Sequence, residues 1–354
     1  MSRANLHGTG VYTTNALAHL PSLSWRFRTH FGAVDSTPAI TAGIAYFGSQ
    51  DAHLYAVDVQ TAREVWHFAT FDKVQASPAV AAGLVYFSSV DGTFYALDCA
   101  TGQERWRFAR SSPGGYSDPI VVGGVVYFGG WGAFYAVDSS TGSERWHLDV
   151  AGSIPTTPVF ADGTVYFGTY SSDGRDGTYL YAANSITGQK YWQVATSGGL
   201  LGSPAVADDV VYFGEKDGTL FALSARTGRE KWHVKLGSAI LVSPALAYDT
   251  VYVAVDASLY AVDAHSGQRR WQFQSEGDIL TDLILAGDTV YFINSQEKLS
   301  FNGLGFVSNL DAVDAHLGRK QWSYAVPGQV DATPAVASGV VYFGGQDSAL
   351  YAVH

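Results

Sequence analysis

One short segment, VYFSSVDGTFYALDCATGQERW at residues 85–106, recurs with small changes almost to the last residue of the chain. Its β-branched and aromatic residues give two strand signals on either side of Asp91-Gly92, a pair that favours a tight hairpin turn. A third strand signal begins at Glu104, and residues 77–80 upstream (Ser-Pro-Ala-Val) give a fourth that its proline confines to a strand start or edge. Four short antiparallel strands in each repeat of about 40 residues predict the blade of a β-propeller.

Tryptophans mark the end of each copy and allow the blades to be counted. Eight of them follow the series: Trp25, Trp66, Trp106, Trp146, Trp192, Trp232, Trp271 and Trp322. The Val-Tyr-Phe type of strand also occurs eight times, around Tyr46, Tyr86, Tyr127, Tyr166, Tyr212, Tyr252, Tyr291 and Tyr342. The two series are offset, because Trp25 has no such strand before it and Tyr342 has no tryptophan after it. We therefore predict an all-β, eight-bladed β-propeller of four-stranded antiparallel blades, in which the segment around Trp25 supplies the outer strand of the last blade and closes the ring.

The repeats resemble the tryptophan-docking motif of pyrroloquinoline-quinone (PQQ) type propellers, A-x-D-x-x-T-G-x-x-x-W. Residues 222–232, ALSARTGREKW, carry most of this pattern. Its aspartate is kept in five copies and replaced by Asn184 and Ser224 in two; the kept ones are Asp58, Asp98, Asp138, Asp263 and Asp314. Its glycine is kept in six copies, Gly102, Gly142, Gly188, Gly228, Gly267 and Gly318, while Ala62 replaces it in the first blade.

This resemblance implies a single ring over residues 21–354, preceded by a leader of residues 1–20 that packs on the ring. It also implies that the eight series tryptophans are structural and dock between neighbouring blades. The family includes quinoprotein dehydrogenases, the BamB-like lipoprotein of outer-membrane assembly and sensor domains attached to bacterial kinases, so the fold alone does not decide the function.

Composition narrows the classes of partner. The formal net charge of −11 argues against a nucleic-acid partner, which would favour a basic stripe. No stretch approaches about 20 consecutive apolar residues, so no transmembrane segment is expected. The single cysteine, Cys99, excludes an internal disulfide and a cysteine-based metal cluster. We expect a monomer that binds a protein, peptide or small-molecule ligand.

The first residues bear on the compartment. Residues 1–5, MSRAN, lack the basic and apolar regions of a secretion signal. Because proteins with similar repeats are mostly periplasmic or extracellular, we favour such a location with a targeting segment removed. A cytoplasmic location is the alternative.

Three turns depart from the repeat, and all join the second and third strands of a blade. The blade-three turn places Trp131 between glycines, where it is either a ligand platform or packed on a neighbouring loop. The blade-four turn lengthens around Tyr170, and its aspartates lack the full spacing of a calcium loop. Residues 294–309 of blade seven form the longest insertion, carrying Phe301 and Phe306, and we expect a loop that acts as a partial lid. These turns share one face with the channel mouth.

The connections that enter each blade align on the proline opening the first strand. Three residues before it stand Asp35, Gln75, Tyr116, Pro155, Leu201, Leu241, Leu280 and Asp331 in the successive connections, with Leu283 replacing the proline after Leu280. The mouth is therefore expected to be polar over blades eight, one, two and three and apolar over blades four to seven. Ring closure makes Asp35 and Asp331 neighbours, which would raise the pKa of one carboxyl group or attract a cation. Alternatively each aspartate caps backbone amides in its own turn.

No catalytic constellation emerges from the sequence. His67, His147 and His233 hold equivalent positions in separate blades, so we expect them far apart on the surface, and the other histidines give no pair at metal-ligand spacing. The resemblance implies a vicinal cysteine pair for quinone-dependent dehydrogenases, whereas this chain has one cysteine. We therefore expect no cofactor and a non-catalytic binding or scaffold propeller. The alternative is an enzyme, or a cation-dependent ligand-binding protein, that uses Asp35 and Asp331.

Overall fold

The computed structural model confirms the ring of eight four-stranded antiparallel blades. It describes residues 8–12, 17, 21–109, 117–171, 177–300, 303–326 and 328–354. The strands of blades 1 to 4, from the channel outward, are β3 (Ala39–Thr41), β4 (Ile44–Gly48), β5 (His53–Asp58) and β6 (Arg63–Ala69); β7 (Ala79–Ala81), β8 (Leu84–Ser88), β9 (Thr93–Asp98) and β10 (Glu104–Ala109); β11 (Ile120–Val122), β12 (Val125–Gly129), β13 (Trp131–Asp138) and β14 (Glu144–Ser153); and β15 (Val159–Ala161), β16 (Thr164–Gly168), β17 (Tyr179–Asn184) and β18 (Lys190–Ala195).

The second half of the ring repeats this order. The strands of blades 5, 6 and 7 are β19 (Ala205–Ala207), β20 (Val210–Gly214), β21 (Thr219–Ser224) and β22 (Glu230–Lys235); β23 (Ala245–Ala247), β24 (Thr250–Val255), β25 (Ser258–Asp263) and β26 (Arg269–Gln274); and β28 (Ile284–Ala286), β29 (Thr289–Ser300), β30 (Gly303–Asp314) and β31 (Lys320–Val326). Blade 8 consists of β32 (Ala335–Ala337), β33 (Val340–Gly345), β34 (Ala349–Val353) and β2 (Leu23–Arg28). Two short strands, β1 (Val11–Tyr12) and β27 (Asp278–Ile279), join the blade-7 sheet.

The hydrophobic core lies between blades. The two middle strands of a blade are buried on both faces, whereas the outer strands alternate between exposed and half-buried positions. Aromatic rings of neighbouring blades stack directly, with centroids 4.1 Å apart for Phe94 and Phe128 and 4.0 Å apart for Phe134 and Phe167. Each blade therefore needs its neighbours to bury its faces, which favours a closed ring.

The ring closes as the tryptophan count predicts. The N-terminal strand β2 pairs antiparallel with the C-terminal strand β34, with Arg26 opposite Tyr351 and Phe27 opposite Leu350. Trp25 lies 5.9 Å, centroid to centroid, from the ring of Tyr342 in the same blade. The two ends of the chain thus complete one sheet.

The series tryptophans dock onto the turn between the third and fourth strands of the next blade. Seven indole N–H groups donate to a main-chain oxygen of that turn, at 2.8 Å for Trp25 to Val59 and 2.9 Å for Trp66 to Cys99, for example. A Cβ added at Gly102 would lie 2.7 Å from the Trp66 ring, which explains the motif glycine. At the closure the pattern changes, because the indole N–H of Trp322 has no hydrogen-bond partner among the described residues.

The insertion in blade 7 is a hairpin and not the loop that its sequence suggests. β29 and β30 pair without interruption from Thr289 opposite Asp314 to Ser300 opposite Gly303. Its base is widened by β27, which pairs with β29, and β31 continues to Val326 opposite Ser308. The insertion therefore prolongs two existing strands, and its tip, with Phe301, lies outside the described residues.

Part of the leader contacts the ring. β1 pairs in parallel with β28, the innermost strand of blade 7. The main-chain oxygen of Thr9 also accepts a hydrogen bond from the Leu246 N–H of blade 6 at 2.8 Å. The described leader residues therefore lie along inner strands of the ring. Among the described residues, none belongs to a helix long and apolar enough to cross a membrane.

Candidate functional site

The candidate site is the mouth face, defined here as the turns between second and third strands together with the connections that enter each blade. Hydroxyl side chains of the connections clamp the ends of the second strands. Ser36 donates to the Gly48 main-chain oxygen at 3.1 Å and accepts from the Gly48 N–H at 2.7 Å, and Thr156 pairs with Gly168 in the same way. Asp35 immediately precedes such a clamp, which fixes its position at the mouth.

A chain of side-chain hydrogen bonds crosses the mouth face where blade 8 meets blade 1. The Gln346 amide donates to Asp35 Oδ1 at 2.7 Å and to Asp331 Oδ2 at 2.9 Å, so it joins the two carboxylates. Gln50 also donates to Asp35, and Gln329 donates to both oxygens of Asp331 at 3.0 and 3.1 Å. We call these five residues the seam network.

The main chain holds the glutamines of the seam network in place. Gln50 donates its N–H to Ala33 at 2.9 Å, and Gln346 donates its N–H to Gln329 at 3.0 Å. Both carboxylates therefore face donors that are already positioned by the two turns. The structure brings Asp35 and Asp331 around one amide group.

The turn-cap interpretation of these aspartates can be compared with real caps in the same chain. Asp98 accepts the N–H groups of Ala100 and Thr101 at 3.0 Å each, and a bond from Arg105 adds to them. The Arg105 guanidinium, followed by the Thr101 bonds, lowers the pKa of Asp98 to about 2. By contrast, the hydrogen bonds of Asp35 and Asp331 among the described residues all come from glutamine side chains.

The other predicted mouth positions differ in exposure. Leu241 and Leu280 are exposed, at 44% and 47%, and Leu201 is half-buried. Gln75 is exposed, and Tyr116 lies outside the described residues. The mouth face therefore offers accessible apolar side chains over blades 6 and 7 and hydrogen-bonding groups at the seam of blades 8 and 1.

The aromatic residues of the unusual turns fall into two groups. Trp131 is 55% exposed and Phe306 is 44% exposed, so both rings are accessible. Tyr170 is half-buried, with the Lys216 ammonium 4.7 Å from its ring centroid and 3.2 Å from its hydroxyl oxygen. The Tyr170 main chain is also paired with Ser153. Lys216 thus already occupies one face of this ring.

Two phenylalanines of the mouth face were missed in the sequence. Phe31 is 93% exposed and Phe71 is 88% exposed, more than any other large apolar side chain among the described residues. They lie in the connections that carry Asp35 and Gln75. Each is an aromatic residue in a connection, outside every strand pattern, and this feature could have indicated an exposed ring. Alignment of the connections on their prolines compares only one position of each connection and does not detect it.

A histidine cluster corrects the expectation that no histidines lie at metal-ligand spacing. One ligand atom from each of His30, Asp51 and His53 lies within 4.8 Å of the others. His67 also approaches this group, while His147 and His233 are exposed on their own outer strands. No sequence spacing revealed this cluster, because ring closure brings His30 to blade 1.

A cavity of about 790 Å³ lies on the opposite face of the ring, between blades 4 and 5. Its walls include Asp162, Asp208, Asp209 and Arg226, with Thr9 of the leader. These residues belong mainly to hairpin turns that recur in every blade. We favour the mouth face for function, because there the chain departs from its own repeat.

The residues present do not fit a quinone site based on a cysteine pair. Cys99 is the one cysteine of the chain. It lies in a third-to-fourth-strand turn, on the face opposite the mouth, where its main-chain oxygen accepts from Trp66 at 2.9 Å and from Tyr46 at 3.1 Å. Burial raises the pKa of its thiol, which disfavours the reactive thiolate. Cys99 is part of the docking architecture.

Comparison with known proteins gives a family and a set of related folds. The family model described as outer membrane protein assembly factor BamB matches residues 21–174 and 175–354. A search of curated protein sequences gives no match.

Solved structures with the same fold include proteins of different kinds. BamB from Moraxella catarrhalis is 17% identical with a TM-score of 0.77, covering 95% of this chain and 100% of that one. Quinohemoprotein alcohol dehydrogenase from Comamonas testosteroni is 16% identical with a TM-score of 0.82, covering 99% of this chain and 79% of that one. The computationally designed Ika8 protein is 17% identical with a TM-score of 0.75, covering 92% and 97%. At these identities the likeness concerns the fold.

Proposed function

The chain belongs to the family of the outer membrane protein assembly factor BamB, and on this premise we propose that it is a non-catalytic propeller that binds a protein or peptide on its mouth face. The observation that carries this proposal is the pair Phe31 and Phe71, almost fully exposed at 93% and 88%. Phe31 lies in the connection that carries Asp35 of the seam network, and Phe71 lies in the next connection of the ring. Exposed aromatic side chains next to fixed polar groups are the usual composition of a protein interface.

The seam network supplies the polar half of the proposed interface. Asp35 and Asp331 carry carboxylate oxygens that accept hydrogen bonds from backbone N–H groups or from Lys and Arg side chains of a partner. The net charge of −11 favours the approach of a segment with basic residues. Because glutamine donors already position both carboxylates, little side-chain ordering is left to oppose binding.

The apolar half lies on both sides of this network. Phe31 and Phe71 stand over blades 1 and 2, and Leu241 and Leu280 are half exposed over blades 6 and 7. Burial of apolar surface there would supply affinity, and the network would fix the orientation of the partner. We propose that the blade-7 hairpin, with Phe306 accessible, borders this site.

A peptide selection followed by matched substitutions tests the proposal. Peptides are selected on the immobilised protein from a displayed library, and their Kd is measured by fluorescence anisotropy. We expect the Phe31→Ala/Phe71→Ala and Asp35→Ala/Asp331→Ala variants to bind at least tenfold more weakly, which corresponds to about 1.4 kcal/mol. The control is Asp208→Ala/Asp209→Ala on the opposite face, which should bind as the parent does.

Two results would contradict this proposal. Equal affinity in both mouth-face variants and the parent would remove the mouth face from the site. A large loss of melting temperature in Asp35→Ala/Asp331→Ala, with the peptide still bound, would make the two aspartates structural. An enzyme or cation-dependent binder acting through Asp35 and Asp331 is the alternative, supported by the proximity of the two carboxylates.

We also propose that the protein acts in the periplasm or outside the cell. The family description as an assembly factor for outer membrane proteins supports this location. Fractionation of the native host, followed by immunoblotting, tests it. Detection only in the cytoplasmic fraction would favour the alternative location.

A further inference from the structure

Three imidazole rings meet at the seam between blade 8 and blade 1. His30 follows β2, the strand that closes the ring, whereas His53 begins β5 and His67 lies on the neighbouring strand β6. The ring centroids are 5.5 Å apart for His30 and His53, 5.4 Å for His30 and His67, and 5.2 Å for His53 and His67. The three rings therefore form a nearly equilateral triangle.

Each ring uses Nδ1 for a contact that leaves Nε2 unengaged. His53 Nδ1 lies 2.9 Å from the main-chain oxygen of Asp51, and His67 Nδ1 lies 2.7 Å from Glu64 Oε1. Both partners are acceptors, so both Nδ1 atoms carry the proton. Among the described residues, no hydrogen bond involves Nε2 of either ring.

The third ring follows the same rule through Tyr55. The Tyr55 hydroxyl donates its one proton to Asp51 Oδ2 at 2.7 Å, so its oxygen accepts from His30 Nδ1 at 3.0 Å. A tyrosine hydroxyl keeps its proton at neutral pH, because the ordinary pKa of tyrosine is about 10. In protein metal sites, a ligating imidazole commonly donates its other ring N–H to an oxygen, which orients the ring and directs its free nitrogen at the metal.

The spacing of the rings fits a single tetrahedral ion. With a metal–nitrogen distance of about 2.1 Å, imidazoles around a tetrahedral ion have centroids about 5.2 Å apart. The observed separations are 5.2 to 5.5 Å. Asp51 Oδ1 lies 3.3 Å from His53 Nδ1, and the Asp51 side chain is only 6% exposed, so this carboxylate orients His53 from the Nδ1 side of its ring.

We propose that His30, His53 and His67 bind one divalent transition-metal ion of the Zn²⁺ type through Nε2, with a water molecule as the fourth ligand. Imidazole ligands select such ions over Mg²⁺ and Ca²⁺, which prefer oxygen. The site joins the closure strand of blade 8 to the body of blade 1. A metal bound there would therefore link blade 8 to blade 1 at the seam where the ring closes.

Blade 2 shows that packing does not require the histidines. There Tyr95 donates to Asp91 at 2.9 Å, and the Phe71 N–H donates to Asp91 at 3.2 Å, as Tyr55 and the His30 N–H do to Asp51. In blade 2 the positions of His53 and His67 are held by Thr93 and Arg107. The hydrogen bonds to the turn aspartate therefore form in blade 2 without histidines at the other positions. The three histidines at the seam of blades 8 and 1 are not needed for this packing.

Metal titration of a protein without a polyhistidine tag tests this site. Zn²⁺ is titrated in competition with a chromophoric chelator, and Co²⁺ is used for its visible absorption. We expect one equivalent of Zn²⁺ to bind, an intense tetrahedral Co²⁺ band, and a higher melting temperature with metal than with chelator. His30→Gln, His53→Gln and His67→Gln should each lower the affinity at least tenfold, and Glu64→Gln should lower it about tenfold through the orientation of His67.

His233→Gln is the matched control, because His233 pairs with Glu230 at 2.7 Å as His67 does with Glu64 but belongs to blade 5. It should bind metal like the parent. Melting temperatures in chelator establish that each variant is folded. No binding by the folded parent, or undiminished binding by a variant lacking all three histidines, would overturn the proposal, as would equal losses in His67→Gln and His233→Gln.

Discussion

Tryptophans dock onto the motif glycines, so exchanging glycine and alanine at this position should change the free energy of unfolding in opposite directions in blades 1 and 2. In blade 2, Gly102 has φ of +69°, and a Cβ added there would lie 2.7 Å from Cδ2 and 2.8 Å from Cε3 of Trp66. In blade 1 the equivalent residue is Ala62, which has φ of +55° and already carries a Cβ in the left-handed region. Gly102→Ala should therefore destabilise the ring, and Ala62→Gly should stabilise it.

The magnitude for Gly102→Ala has two parts. The left-handed backbone costs an alanine about 1–2 kcal/mol. The new methyl group also displaces Trp66, whose indole N–H donates to Cys99 at 2.9 Å, and loss of such a bond costs about 1 kcal/mol. We expect a total of about 2–3 kcal/mol, a large share of the about 5–15 kcal/mol that stabilises a folded domain. Ala62→Gly relieves about 1–2 kcal/mol of backbone strain, which the greater entropy of glycine in the unfolded chain partly offsets, so it should add up to about 1 kcal/mol.

Gly83 separates the two parts. It has φ of +77°, and a Cβ added to it would meet no heavy atom within 4 Å. Gly83→Ala therefore measures the backbone cost alone, about 1–2 kcal/mol. The assay is equilibrium urea denaturation followed by tryptophan fluorescence, with midpoints compared at equal m values. If Gly102→Ala is no more destabilising than Gly83→Ala, the tryptophan contact is not tight; if Ala62→Gly destabilises the protein, Ala62 is not strained.

Three other predictions concern closure, acid and cofactors. Deleting residues 1–30 removes β2 with the half-buried Trp25 and Phe27 and should cost at least about 3–5 kcal/mol, so the protein should aggregate or melt early. Deletion of residues 1–20 is the control, and an unchanged melting temperature would disprove the closure role. The Arg105 guanidinium lowers the pKa of Asp98 to about 2, below its unfolded value, so ionised Asp98 stabilises the fold above about pH 4 and this stabilisation is lost as pH falls towards 2. Arg105→Gln should therefore make the free energy of unfolding less dependent on pH in this acid range, and an unchanged dependence would refute this. PQQ with Ca²⁺ should neither bind saturably nor support dye-linked oxidation of alcohols or sugars, as followed by equilibrium dialysis and dye reduction, and turnover would establish an enzyme.

The ring could be predicted because its information is repeated along the chain. The offset between the tryptophan and tyrosine series predicts the pairing of β2 with β34, which the structure confirms. The blade-7 hairpin could not be predicted in the same way, since residues 295–300 (SQEKLS) lack the β-branched and aromatic character of the other strands. Their strand conformation follows from continued main-chain pairing with β30, which side-chain composition does not encode.

Only some residues of the mouth face could be predicted from the sequence. Alignment on the prolines predicts that Asp35 and Asp331 are neighbours, and the structure places the Gln346 amide between them. Gln346 itself escaped notice because it lies in a turn, outside the aligned connections. The histidine triangle was missed for a further reason: His30 and His53 become neighbours only when the ring has closed.

Closure of the ring by β2 and β34 also sets the order of events during synthesis. β2 is synthesised before the other blade strands, and its partner β34 is synthesised after them, tens of seconds later at about 5–20 residues per second. In the interval β2 and the aromatic residues around it have no native sheet to join, and an unpaired strand is a template for pairing with another chain. At high concentration, the N-terminal strand of one copy can therefore complete blade 8 of another, so slow assembly would give exchanged dimers from two rings that are each correctly folded.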